Sequence, residues 1–178
     1  MVNRFRLQGL MLASLVFIAD QMVKYAMIGP LALKSRTKIH LLPFFDLTWA
    51  ENRGISMSFL QAGSDAERWM LVGLTAAIAL IVAVWMWREK LRGDVLALSL
   101  VLGGALGNIV DRVRYGYVVD YADLHFGSFR PFWIFNLADA CITIGVLIVL
   151  ARAFLMREKA ADEQVVHEPA SGPNVTES

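Results

Sequence analysis

Residues Trp69–Trp87, WMLVGLTAAIALIVAVWMW, form nineteen consecutive residues without a charge and with a tryptophan at each end. A helix needs about 20 apolar residues to cross the hydrocarbon core of a bilayer, and tryptophan favours its two surfaces. This run therefore predicts a transmembrane helix. Composition agrees: 57% of the 178 residues are hydrophobic, 19% are charged, and the mean hydropathy is +0.51. Soluble domains carry roughly 25% charged residues. A net charge of +1 offers nothing to nucleic acid, and one cysteine, Cys141, allows no internal disulfide. Cys141 lies in an apolar run with no cation beside it, as expected of a small packing residue.

Working outward from Trp69, the segment from Gly29 to Glu67 is polar enough to stay at the membrane surface. Ile39–Trp49, with its aromatic and β-branched residues, predicts short strands with Pro43 at an edge or turn. Asn52-Arg53-Gly54 is a turn signal, and the apolar residues that follow suit an interfacial helix. The first apolar run, about 7–28, is too long for a cleaved signal peptide and is expected to be a retained anchor. It contains Asp20 and Lys24, four residues apart on one helix face. Two readings stand side by side: an ion pair that lets this helix span the bilayer, or charges that face a functional site.

Beyond Trp87, a basic turn at 88–92 leads into a third span, 95–112, in which Gly103, Gly104 and Gly107 allow another helix to approach closely. The fourth span, 134–156, is expected to start after Pro131 and carries Asn136, Asp139 and Thr143 on one face. The expected fold class is thus an all-α membrane protein of four transmembrane helices. A small extracytoplasmic β-rich and interfacial-helix subregion would lie in the loop 29–67, with a second external loop at 114–133. Residues 1–156 form one catalytic domain, and 157–178 read as a disordered cytoplasmic tail. Apart from Lys24, eight Lys/Arg fall on each side, so the positive-inside rule alone is indecisive. The basic density of the 88–92 turn places it, and with it both termini, in the cytoplasm.

Two costly carboxylates, Asp120 and Asp139, bracket the polar excursion between the third and fourth spans. Two neighbouring aspartates share one proton, so one can serve as base toward water while the other polarises a carbonyl. That chemistry is hydrolysis without a covalent intermediate, and it needs no metal or cofactor. A metal site is disfavoured by three scattered histidines, His40, His125 and His167, and His40 and Asp46 read as surface residues. Ser56, Ser58 and Ser128 lack a nucleophile-elbow context. Asp111, beside Arg112, reads as a helix-end or ion-pair residue, and Asp123, His125 and Arg130 as surroundings of the two ends. A different class of function, a small proton-coupled carrier or assembly protein relaying through Asp20, Lys24 and Asp139, would also employ intramembrane charges.

Five ordered blocks carry a resemblance. They are Asp20-Gln-x-x-Lys24, Asn52-x-Gly54 with Ser58-Phe59, Gly103-Gly104-Ala-x-Gly-Asn108-x-x-Asp111-Arg112, Val118-Val-Asp120, and Phe135-Asn136-x-Ala138-Asp139. In this order the chain resembles the lipoprotein signal peptidases (signal peptidase II), bacterial membrane aspartic proteases, from about Leu15 to Ile148. The resemblance implies a catalytic pair at Asp120 and Asp139. It also implies supporting or substrate-binding roles for Asp20, Lys24, Asn52, Gly54, Asn108, Arg112 and Asn136. The implied substrates are prolipoproteins with a diacylglyceryl-modified cysteine, cleaved just before that cysteine. A monomer in the bacterial inner membrane is implied, in contact with lipid and inhibited by globomycin-type compounds, with the site at the extracytoplasmic face. Ile55-Ser56-Met57 departs from the family's usual external loop.

Overall fold

The computed structural model describes residues 4–54 and 65–166, with side chains through residue 155. The expected interfacial helix after Gly54, with Ser56, Ser58 and Gly63, lies outside the described residues, as does His167. Four helices are long and apolar enough to cross a membrane: α1 (Arg4–Ile28), α3 (Asp65–Arg88), α4 (Arg92–Tyr115) and α5, whose spanning part is Leu137–Leu155. A single helical turn, α2 (Leu33–Arg36), follows α1. Helix α5 itself continues to Val166, so helix runs ten residues past the boundary expected at 156.

Helix α4 is the centre of the bundle, packing against α1, α3 and α5. Half of its apolar window is buried within the protein, against 28% for α1 and 11% for α3 and α5. Glycine makes this possible on two faces. A Cβ on Gly103 would stand 2.5 Å from the Ala13 carbonyl oxygen of α1, and one on Gly104 would stand 2.5 Å from the Ala138 carbonyl oxygen of α5. Gly107 similarly abuts the Asp20 carboxylate. The close-packing role expected of these residues is what the bundle uses.

Outside the bundle, β1 (Lys38–Leu42), β2 (Phe45–Asn52) and β3 (Val118–Leu124) form an antiparallel sheet in that order. The first two are the expected strands, with Pro43 in their turn. The third was unforeseen, because 114–133 reads as a loop. Helix α4 stops at Gly116, whose φ of 83° is left-handed and whose N–H returns to the Arg112 carbonyl at 3.1 Å. Val118 and Val119 then favour extended chain, and β3 pairs with β2 so that Asp120 lies opposite Ala50. Asp120 therefore sits on a strand rather than at the end of the third span.

The fourth span also starts later than expected, at Leu137. Phe135 is still extended, its N–H and carbonyl bonded to Ala122 across β3. Asn136 then caps the helix: its Oδ1 accepts the Asp139 N–H at 2.9 Å, while Asp139 Oδ2 accepts the Asn136 N–H at 3.2 Å. This reciprocal arrangement fixes the helix start, and proline plays no part in it.

Candidate active site

The capping pair at the start of α5 places Asp139 on the first helical turn, where the unpaired N–H groups favour a carboxylate. Asp139 Oδ1 also accepts a hydrogen bond from Asn108 Nδ2 of α4 at 2.8 Å. Asn136 Nδ2 donates at 2.6 Å to Asp120 Oδ1, so two asparagine side chains join the strand carboxylate to the helix carboxylate. The amides touch one another as well, Asn136 Nδ2 reaching Asn108 Oδ1 at 3.3 Å. Asp120 is 2% exposed and Asp139 half-buried. Burial, and then the charge of Asp139, push Asp120 up to about 7 against the opposing hydrogen bonds of Asn136 and Asn52. Asp120 has no cation bonded to it among the described residues.

Asp120 opens into a cleft of about 640 Å³, bordered by Glu51, Asn52, Arg53 and Gly54 on one side and by Trp133 and Ile134 on the other. Asn52 shapes its own turn by accepting the Gly54 N–H at 3.0 Å, and Gly54 has a φ of 87° that a side chain would strain. A separate apolar groove of about 240 Å³ runs along Asp139, Thr143 and Ile144 beneath Phe132 and Phe135. The two carboxylates thus border different spaces: an open cleft on the strand side and an apolar groove on the helix side.

Lys24 organises this arrangement from below. Its ammonium is 2% exposed and lies 2.8 Å from Asp20, 2.7 Å from Asp111 and 3.1 Å from Asn108 Oδ1. Asp20 in turn accepts the Ala138 N–H of α5 at 3.1 Å, and Asp111 accepts the Val119 N–H of β3 at 3.1 Å. One buried cation therefore ties together the segments that carry both candidate catalytic carboxylates. The two readings of Asp20 and Lys24 merge, because the ion pair also faces the site. Asp111 is an ion-pair residue, as one of its two expected readings has it, but its partner is Lys24 and not the neighbouring Arg112, since a carboxylate at 0% exposure requires a buried cation. Sequence held one clue to this, namely that Asp111 is the carboxylate of the third span's far end and Lys24 the lone cation within the first.

Among the described residues the Arg112 guanidinium makes one long contact, 3.5 Å, to the Asn108 carbonyl, and its Nε is buried without a partner there. It sits within the field of Asp139, Asp120 and Asp111. Its free donors are suited to a substrate oxygen.

A second group of carboxylates lies under the sheet. Asp46, 1% exposed, is bonded to Lys38, His40 and His125 at 3.1, 3.0 and 3.0 Å. Asp123 is bonded to Arg130 and Thr48, each at 3.0 Å. The expectation that Asp46 is a surface residue is thus corrected: β2 turns it inward, where its partners satisfy it. Burial pushes Asp46 and Asp123 up, but their hydrogen-bonded cations hold both below the usual carboxylate range. Among the described residues no group of His, Cys, Asp and Glu is placed to hold a metal ion.

The profile of the family described as signal peptidase (SPase) II matches residues 12–155. The chain belongs to the signal peptidase II family. The lipoprotein signal peptidase of Sphingopyxis alaskensis is 59% identical over 152 residues, covering 85% of this chain and 88% of that one. The protein of the same name from Rhizorhabdus wittichii is 57% identical over 150 residues, covering 84% and 87%. A bacterial membrane enzyme solved by the in meso method superposes with a TM-score of 0.70 at 28% identity, over 86% of this chain and 90% of the other. Nothing in these comparisons supports a carrier. The cation such a relay would need is closed between Asp20 and Asp111.

Proposed function

We propose that Asp120 and Asp139 are the catalytic pair of an aspartic endopeptidase that removes signal peptides from diacylglyceryl-modified prolipoproteins, cutting just before the lipidated cysteine. The observation that carries this reading is the contrast between Asp120, buried with no cation bonded to it among the described residues, and every other buried carboxylate described above. In the resting pair, Asp120 carries the shared proton, and Asp139, held by the Asn136 N–H and the Asn108 amide, is the base. Asp139 takes a proton from water as the water oxygen bonds to the scissile carbonyl carbon, while Asp120 hydrogen-bonds the carbonyl oxygen. Proton return to the amide nitrogen then breaks the C–N bond and releases the cysteine amine. Neither carboxylate forms a covalent bond to substrate.

Asn108 and Asn136 fix the two carboxylates, Asp20 and Lys24 fix the asparagines and the start of α5, and Asn52, Gly54 and Arg112 border the path of the peptide. The apolar groove beside Asp139 suits lipid or signal-helix side chains. In this reading the molecule is a monomer of the bacterial inner membrane, with both termini cytoplasmic and the cleft at the extracytoplasmic face. Residues 1–156 form its catalytic unit. The test is incubation of the purified protein with a diacylglyceryl-modified precursor and its unlipidated twin, with and without globomycin. Cleavage of the lipidated form alone, blocked by globomycin, is expected. Equal cleavage of both forms would overturn the substrate assignment.

A further inference from the structure

Helix α5 starts on a set of side-chain acceptors, a different one for each backbone N–H from Asn136 to Asp139. Asp139 accepts the Asn136 N–H, Asn136 accepts that of Asp139, and Asp20 accepts that of Ala138. The remaining donor, the Leu137 N–H, goes to the Tyr121 hydroxyl at 3.2 Å. Tyr121 follows Asp120 on β3, so the strand that bears one carboxylate of the candidate pair also caps the helix that bears the other.

The tyrosine is held for this contact. It is 6% exposed and packs with Met27, Leu33 and Leu47. Burial pushes its hydroxyl up against the opposing Leu137 bond, and the charges of Asp20, Asp139 and Asp120 add to the rise, so the group is neutral. A neutral oxygen accepts the N–H without adding another negative charge beside these carboxylates. The two carboxylates on hand are already engaged. Asp20 has Oδ1 on the Ala138 N–H and Oδ2 on Lys24 at 2.8 Å, while Asp139 has Oδ1 on the Asn108 amide and Oδ2 on the Asn136 N–H.

We infer that Tyr121 is a positioning residue for Asp139: its hydroxyl satisfies the Leu137 N–H and so leaves the Asp139 carboxylate on Asn136 and Asn108. This rests on the reading of Asp120 and Asp139 as the catalytic pair. A helix start leaves its first N–H groups without partners in the helix, and one left unpaired away from water is costly. Asp139, two residues on, is the closest carboxylate along the chain to the Leu137 N–H. Turning toward it would give up the 2.8 Å bond to Asn108 and would tie up an electron pair with which the base takes a proton from water. The ring without its hydroxyl packs alike but accepts nothing.

The test is a double-substitution cycle on the purified full chain, read as kcat and KM for cleavage of a diacylglyceryl-modified precursor. Tyr121→Phe should lower kcat about tenfold and leave KM within about twofold, because the base and not the binding cleft is disturbed. Leu137→Pro deletes the N–H at the first helical position, where proline fits, and should keep kcat within about twofold of the parent. Adding Tyr121→Phe to Leu137→Pro should then cost less than about twofold, since no donor is left for the hydroxyl to satisfy. A hydroxyl that serves stability alone would lower the melting temperature of Tyr121→Phe without moving kcat, and that result would overturn the assignment. So would a loss of about tenfold that persists in the Leu137→Pro background, or an inactive double variant should Tyr121→Phe alone fail to fold. Asp139→Asn in the same assay keeps the two readings apart. Cleavage by Asp139→Asn removes the catalytic pair, whereas a parental kcat in Tyr121→Phe beside an inactive Asp139→Asn removes the positioning role alone.

Discussion

Two groups of buried carboxylates stand within one small protein, and they are treated in opposite ways. Under the sheet, Asp46 and Asp123 are surrounded by Lys38, His40, His125 and Arg130, and both lie below the usual carboxylate range. In the cleft, Asp120 receives amide donors but no cation, faces Asp139, and is pushed up to about 7. A buried carboxylate with a cation is held ionised and serves structure. One left beside another carboxylate keeps a proton that it can give away. The Asp20–Lys24–Asp111 cluster also places its carboxylates against a cation, and it touches the second group through Asn108.

The largest break in this contrast is the loss of either carboxylate of the candidate pair. Asp120→Asn or Asp139→Asn should lower cleavage of a lipidated precursor by at least about 10²–10⁴-fold, since the amide keeps the shape and loses the proton transfer. Asp123→Asn in the same assay should retain cleavage. Activity of Asp123→Asn as low as that of Asp120→Asn would reverse the assignment of the two groups.

Next comes the buried cation. Lys24→Met leaves Asp20 and Asp111 without their positive partner and should destabilise the folded bundle by about 3–5 kcal/mol, measured as loss of thermal stability in detergent. A variant as stable as the parent would show that the cluster is not held by charge.

The cleft and the sheet should also respond to pH with opposite sign. For Asp120 the folded pKa is raised, so the stability linked to its proton is complete below about pH 4 and is lost as pH rises to about 7, at roughly 1.4 kcal/mol per pH unit. Asp120→Asn should therefore melt higher than the parent at pH 8, with the difference vanishing near pH 4. Asp46 and Asp123 have lowered values, so their contribution is present above the normal carboxylate range and is lost as pH falls below it. Thermal melts across this range check both signs. Cleavage should decline on the alkaline side, through about pH 7, as the pair gives up its shared proton.

The smallest effect belongs to a rim pair. Lys34 is 61% exposed and bonds Glu51 at 2.9 Å while lying over Trp49 and Tyr117. Lys34→Ala should cost no more than about 1 kcal/mol in the same melts, because water screens an exposed pair. A loss comparable to that of Lys24→Met would remove the distinction between buried and exposed ion pairs here.

Much of this was legible in the chain. Hydropathy alone marks the four spans, Pro43 and the residues around it mark two strands, and Gly103 and Gly107 mark a close helix face. The blocks around Asp120 and Asp139 pointed to the candidate pair before any geometry. What escaped was non-local. β3 looks like loop because Val118–Leu124 is short and carries two aspartates, and only pairing with β2 and Phe135 makes it a strand. The fourth helix begins at the Asn136–Asp139 cap rather than near Pro131, because Phe135 is committed to the sheet.

The sequence by itself determined how many times the chain crosses the membrane and which carboxylates are costly enough to need a reason. Only the tertiary structure decided which of them are neutralised. Lys24 meets Asp111 across 87 residues of chain, Asp46 meets His125 across 79, and Asp120 meets an amide instead of a cation. A carboxylate's protonation is set by the burial and charges within a few ångströms of it, and those neighbours are chosen by packing rather than by spacing along the chain.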